Sequence, residues 1–269
     1  MSPTVLRRLA AAAGLVLALA GAPAQAGRSC EQRAPGADAV ARSLALAERA
    51  TARLDASGAR VVVLARAGQD LSAHGLRYSH LGIAYREGEA LDAPWRIVHK
   101  LNHCGSARAT LYRQGLGDFF LDDLWRHEAA FVVLSPALQS SLLRLVADNP
   151  RVAALDEPAY SLVAYPWSVR YQQSNQWAIE TLAAAMEPGT IRTRDQAQAW
   201  LQFKGYEPST LKLGPLTRLG GRVGSANVAF DDHPNEKRFS DRIETVTVDS
   251  IFAWLPRAGL GAAPVTLKL

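Results

Sequence analysis

Two histidines stand where neighbouring strands would bring them within reach of each other. His80 lies in Tyr78-Ser79-His80-Leu81-Gly82-Ile83-Ala84-Tyr85, and His99 in Trp95-Arg96-Ile97-Val98-His99-Lys100-Leu101. Both runs have strand composition, and Glu87-Gly88-Glu89 supplies a turn between them. On an antiparallel hairpin such residues share a face when the register allows it. A neighbour that holds one imidazole nitrogen leaves the other free to accept a proton, which is the chemistry of a general base. The same pair suits one surface histidine and one satisfied core histidine, and spacing alone does not choose.

The chain has only two cysteines, Cys30 and Cys104. In an oxidising compartment they would form one disulfide, closing a loop of about 75 residues worth ~4 kcal/mol on a chain-entropy basis. The rival reading makes Cys104 a nucleophile. His74, His99 and His103 do not form a metal set, because His99 and His103 share a face only on a helix and this stretch reads as strand and turn. Asp118, Asp122 and Asp123 lack calcium-loop spacing. Gly220-Gly221-Arg222-Val223-Gly224 follows no strand and is no dinucleotide motif. Asp231-Asp232-His233 reads as a solvated turn, and the six tryptophans as core. No metal and no cofactor is expected.

The elements that must position these residues alternate in type. Ala37 to Ala56 reads as an amphipathic helix with Val40, Leu44, Ala47 and Leu54 on one face. Residues 60–65 form a first strand, the two histidine runs a hairpin, and residues 109–113 and 129–134 two more strands. The acidic-aromatic stretch 117–123 separates these last two. Pro136 opens a helix that ends before Asn149-Pro150. Helices follow from Ser174 to Pro188-Gly189 and over 194–203. The tail is punctuated by Gly214-Pro215 and Gly220-Gly221, and residues 243–248 alternate like a strand. Strands with helices around them indicate an α+β fold with an antiparallel sheet.

The N-terminus reads as an export signal. Arg7 and Arg8 precede an apolar run from Leu9 to Ala20, and Ala24-Gln25-Ala26 offers a cleavage site, so a mature chain would begin near Gly27. About twelve apolar residues are too few to cross roughly 30 Å of hydrocarbon, and no later segment is long and apolar enough. A periplasmic or secreted protein is expected, without a transmembrane segment after cleavage. The chain has 30 Lys and Arg against 25 Asp and Glu, two of the arginines falling in the signal. So small and scattered a surplus is no nucleic-acid signature.

The segments Ser79-His80-Leu81-Gly82-Ile83-Ala84-Tyr85 and Arg96-Ile97-Val98-His99 resemble the histidine hairpin of circularly permuted NlpC-type papain-like proteins, which include the lecithin retinol acyltransferase-like enzymes. In that group the nucleophilic cysteine follows downstream and opens a helix. The matching segment is Tyr171-Gln172-Gln173-Ser174-Asn175-Gln176-Trp177-Ala178-Ile179-Glu180, with Ser174 where the cysteine would stand. The mature chain is also similar to an uncharacterised exported bacterial family, through the Ser-Asn-Gln-Trp run at 174–177 and the segment 246–255.

The resemblance implies a permuted papain-like fold over 27–269, one α+β domain with a C-terminal extension. It implies His80 as general base, His99 as its orienting partner and Ser174 in the nucleophile's place. The implied function is hydrolysis or acyl transfer at an amide or ester of cell-wall peptide or lipid. The departure matters, because a serine is not ionised by the fields that ionise a cysteine. Ser174 therefore has three readings: nucleophile, polar remnant of a lost site, or ordinary helix N-cap. The remnant reading makes the protein a catalytically inactive envelope binding or assembly protein.

Unreduced, denatured protein recovered after export is expected to show no free thiol on maleimide labelling. Two labelled thiols would remove the Cys30–Cys104 disulfide.

Overall fold

Residues 60–65, Arg-Val-Val-Val-Leu-Ala, are apolar without alternation, as suits a strand covered on both faces. The computed structural model describes residues 35–88, 90, 92–122 and 124–269. In it β1 (Val61–Arg66) is buried at every position. With β2 (His80–Arg86), β3 (Trp95–Asn102), β4 (Ala109–Gly115), β5 (Glu128–Val133) and β8 (Val265–Lys268) it forms a six-stranded sheet. The strand order is β4-β3-β2-β1-β5-β8, and each neighbouring pair is antiparallel. β6 (Ser209–Lys212) and β7 (Arg242–Thr245) make a separate two-stranded ribbon.

The period of two sorts the sheet's side chains between two cores. Val61, Val63, Ala65, Leu81, Ile83 and Val98 face one side. There they pack with Leu138 and Leu142 of α3 (Pro136–Val146), Trp177, Ile179 and Leu182 of α5 (Ser174–Met186), and Ile251 and Trp254 of α9 (Val248–Arg257). Val62, Leu64, Ala84, Trp95 and Ile97 face the other side. They meet Leu46, Ala50 and Leu54 of α1 (Ala37–Ala56) and Phe119 and Phe120 of α2 (Leu116–Leu121). The remaining helices are α4 (Asn149–Ala153), α6 (Arg194–Phe203), α7 (Pro215–Gly224) and α8 (Asn235–Arg238). The result is an α+β architecture with an antiparallel sheet packed against helices, as the sequence pattern implies. No helix among the described residues is long and apolar enough to cross a membrane.

Four expectations are corrected. α1 has the expected bounds, but its buried face is Ser43, Leu46, Ala47, Ala50 and Leu54, and Leu44 is exposed. That face carries two leucines, Leu46 and Leu54, against the sheet, with Ala47 and Ala50 between them, so Leu44 is not needed to cover it. The stretch 117–123 begins in α2, whose Phe119 and Phe120 are buried. The strand expected through residue 248 ends at Thr245, because Thr247 caps α9: its Oγ1 accepts the Ser250 N–H at 3.0 Å. A capping hydroxyl overrides the β-branched run around it. The Gly-rich tail holds a helix, α7, which Pro215 opens from its first turn. Residues 1–26 and Cys30 lie outside the described residues, so the signal and the disulfide rest on sequence alone. Cys104 sits in the exposed turn between β3 and β4.

The β2–β3 ladder stops short of the ends of its two strands. Pairing runs from Ile83↔Val98 to Arg86↔Trp95 and goes no further towards His80. Leu81 N–H donates instead to Asn175 Oδ1 at 3.2 Å, so the start of α5 takes the place of a strand partner. Gly82 keeps this junction tight: a Cβ there would lie 2.8 Å from Ile97 Cγ1 and 2.9 Å from His99 Cβ.

Gly82→Ala is therefore expected to destabilise the fold by about 1–3 kcal/mol through overpacking. Urea unfolding would read this as a lowered midpoint, and an unchanged midpoint would show that His99 and Ile97 yield freely.

Candidate active site

His80, at the first position of β2, and His99, in mid β3, turn to the same side of the sheet. Their rings meet at the end of the interrupted ladder, with His80 Nε2 2.8 Å from His99 Nδ1. His80 Nδ1 lies 3.2 Å from Ser174 Oγ. The three residues implied by the resemblance thus converge. A fourth joins them: His99 Nε2 is 2.8 Å from Gln114 Oε1 on β4. Gln114 pairs with Ile97, two residues from His99, so His99 and Gln114 are diagonal neighbours on one face.

The orientation of the Gln114 amide sets the polarity of the chain of bonds. With Gln114 Oε1 accepting, His99 carries its proton on Nε2 and offers the Nδ1 lone pair. His80 then donates from Nε2 to His99 and offers its own Nδ1 lone pair. Ser174 Oγ–H donates to that lone pair, the direction a general base requires. The reverse orientation of the Gln114 amide would reverse every link and turn His80 Nδ1 into a donor.

Ser174 is the first residue of α5, not its cap. Gln173 is the N-cap, and its Oε1 accepts the Asn175 N–H at 2.9 Å. This removes the ordinary N-cap reading of Ser174. The helix start places a positive dipole end behind Oγ. Among the described residues, the Ser174 N–H is left available to an oxyanion. The Tyr160 phenol lies beside Ser174, and burial pushes it up to about 12, so it stays neutral at any physiological pH.

A buried polar network fixes the start of α5. Glu180 is fully buried and receives Arg194 Nε at 2.8 Å, Gln198 Nε2 at 2.8 Å and Gln172 Nε2 at 2.5 Å. Gln172 Oε1 accepts from Lys100 Nζ at 2.7 Å, and Lys100 also meets Asp156 at 2.8 Å. Arg194 donates to the carbonyls of Val169 and Tyr171, which lead into Ser174. Lys100 follows His99 on β3, so the same network ties the helix start to the histidine strand.

The imidazoles are held neutral. Burial drives His80 well below the ordinary histidine value, and the Arg66 guanidinium and His99 push the same way. His99 falls to about 4, by burial first and then by Arg66, with the Gln114 bond and Asp122 opposing. Arg66 is anchored by the Phe119 carbonyl and the Asp122 carboxylate. Its Cζ lies 4.5 Å from the Phe119 ring centre, and that ring closes over the histidines at 6.0 and 5.4 Å.

The site is covered rather than open: Ser174 is 4% exposed, His80 9% and His99 not at all. A cavity of about 400 Å³ lies at the other end of the relay, lined by Arg66, Asn102, Gln114, Asp118 and Asp122. Its lining is mostly polar, with Leu101 and Leu121 beside these residues, and does not include Ser174.

A family model for bacterial proteins described as "uncharacterized protein conserved in bacteria" (DUF2145) matches residues 53–255. The chain belongs to this family. The match spans every residue of the relay. No curated protein and no solved structure matches the chain.

Sequence reasoning did not single out Gln114, Tyr160 or Arg66. Gln114 was within reach of it, since continuing the alternation of the two histidine strands onto the next strand points to a polar residue there. Tyr160 and Arg66 carry no local signal. The Asp231-Asp232-His233 turn is also corrected. His233 Nδ1 meets Asp232 Oδ1 at 2.9 Å with both side chains fully buried, and Nε2 donates to the Glu244 carbonyl at 3.0 Å. It is a brace rather than a solvated turn. His103 bonds Thr110 instead of a metal partner, and no group that could hold a metal ion occurs among the described residues.

Neutral burial has a pH consequence. His99 titrates at about 4 in the fold and near ~6.5 when unfolded. The unfolded chain thus binds protons first as pH falls. Stability is full above pH ~6.5 and declines towards pH ~4, by at most about 3 kcal/mol from this residue. His80 acts in the same direction. Denaturant unfolding from pH 7 to 4 is expected to show the decline, reduced in His99→Gln. An identical slope in that variant would remove His99 as its source.

Proposed function

We propose that this protein is a periplasmic serine-dependent hydrolase or acyltransferase acting on an amide or ester of cell-wall peptide or lipid. The observation that carries the reading is the directed bond chain Ser174–His80–His99–Gln114, in which Ser174 faces a neutral imidazole lone pair. The order of two histidine strands followed by a helix that opens on the reacting residue also supports a permuted papain-like arrangement.

The chemistry follows from the bonds. His80 Nδ1 takes the Ser174 proton as Oγ attacks the substrate carbonyl carbon. The oxyanion that forms is met by the Ser174 N–H at the helix start. His80, now carrying both ring protons, gives one to the leaving amine or alcohol as its bond to carbon breaks. Water, or an acceptor alcohol or amine, then attacks the acyl-serine, and His80 takes its proton. Oγ recovers a proton from His80 as the acyl group leaves. His99 Nδ1 accepts from His80 Nε2 throughout, so it fixes the ring and is a positioning residue.

Burial of Ser174 favours a second reading, the catalytically inactive envelope binding or assembly protein. A depressed histidine is a weak base, and Arg66 opposes the imidazolium that the mechanism forms.

The two readings separate by experiment. Ser174→Ala and His80→Ala should each lower kcat/KM on a generic ester by about 10³-fold or more, without additivity, because the two act as a unit. Because neutral His80 is the active form and its pKa is lowered, the acid limb of activity should lie below pH ~6.5. Ser174→Cys should react with acylating thiol reagents faster than free cysteine. No hydrolysis by the parent, together with an unreactive Ser174→Cys, would leave the inactive reading standing.

A further inference from the structure

α7 is an amphipathic helix turned inside out. At about 100° per residue, Leu216, Leu219, Gly220 and Val223 fall on one stripe, and Gly221 lies roughly opposite. Gly221 is the buried residue of the helix. Leu216 is 84% exposed, Leu219 60% and Val223 80%. An apolar stripe of this kind normally faces a core, yet here it faces away from one. Arg218 holds the helix down on the opposite side: it donates to the Ser240 carbonyl and lies 5.1 Å over the Phe230 ring. That contact brings the 238–240 segment alongside, where Phe239 is 76% exposed with Arg238 5.5 Å over its ring.

Charge along α7 itself has one sign. Lys212, Arg218 and Arg222 are the only charged residues from 212 to 224, and Arg238 flanks Phe239 on a segment that also carries the exposed Glu236 and Asp241. The stripe runs along one exposed helix face, the arrangement of a helix lying in a bilayer interface. Apolar side chains enter the acyl boundary while basic ones stay at headgroup level.

We infer that α7, with Phe239, is a peripheral docking element for an anionic phospholipid surface. The inference is independent of the Ser174 reading, because none of these residues belongs to that site. It would set the protein against the membrane face with α7 parallel to the plane. Attachment would be reversible, since one short stripe is too small an anchor to resist salt once its basic rim is screened.

The test is co-sedimentation of the mature chain with vesicles of phosphatidylglycerol and phosphatidylethanolamine, against pure phosphatidylcholine. Binding to the anionic vesicles is expected, at least about tenfold above phosphatidylcholine and weakened by 0.5 M salt as screening requires. Leu216→Glu with Leu219→Glu should reduce it by about tenfold or more. Both positions are exposed, and circular dichroism with an unfolding midpoint would verify that this variant folds. Absence of parent binding to anionic vesicles would overturn the inference, as would equal binding by the folded variant. So would a concentration-dependent dimer of the parent that the variant loses, since the stripe would then belong to a second copy.

Discussion

The buried carboxylate of Glu180 is the constraint around which the site is arranged. It lies one helical turn and a half beyond Ser174 on α5, and Arg194, Gln198 and Gln172 converge on it. A carboxylate without water needs that many donors, and removing one partner of a buried ion pair costs about 3–5 kcal/mol. The arrangement fixes more than the helix. Arg194 also holds the carbonyls that lead into α5, and Gln172 reaches Lys100 on β3. The position of Ser174 relative to the histidines is therefore set by polar bonds with definite directions. Apolar packing alone would let the helix start slide.

The sheet contributes by what it omits. A β2–β3 ladder continued to His80 would occupy Leu81 N–H and bar Asn175 from it. Ending the ladder at Ile83↔Val98 lets the first turn of α5 enter the sheet's hydrogen bonding. Gly82 permits this because its missing Cβ leaves room for His99 and Ile97. The histidine rings then bridge two strands that no longer bond at that level.

The electrostatics of the relay pull in two directions. Burial and Arg66 keep both imidazoles neutral, so the lone pair facing Ser174 is present over a wide pH range. The same influences disfavour the imidazolium that proton transfer from Ser174 would create. A carboxylate in the place of His99 would offset that cost, whereas a neutral imidazole backed by an amide offsets less of it. The Gln114 amide sets the direction of the whole chain, and it stands at the edge of the polar cavity beside Arg66 and Asp118.

Local signals were enough for the elements that carry the histidines and Ser174. Their apolar runs, the turn at 87–89 and the Pro-Gly stop after Met186 are short-range features, and the antiparallel α+β sheet follows from them. The relation between His80, His99 and Ser174 reached the sequence reading only through a resemblance, because contact across 94 residues leaves no periodic trace. Three-dimensional packing alone brought Tyr160 and Arg66 to the site, Arg66 from a strand whose pattern is merely apolar and Tyr160 from the loop before α5. It also decided which face of α1 is buried, since Leu44 and Leu46 are alike in sequence and only the sheet and α2 determine which of them is covered. For α7 the amphipathic pattern was written in the chain, but the side it presents to solvent was not. A hydrophobic stripe fixes which residues share a face, and only the neighbours that surround the helix determine where that face points.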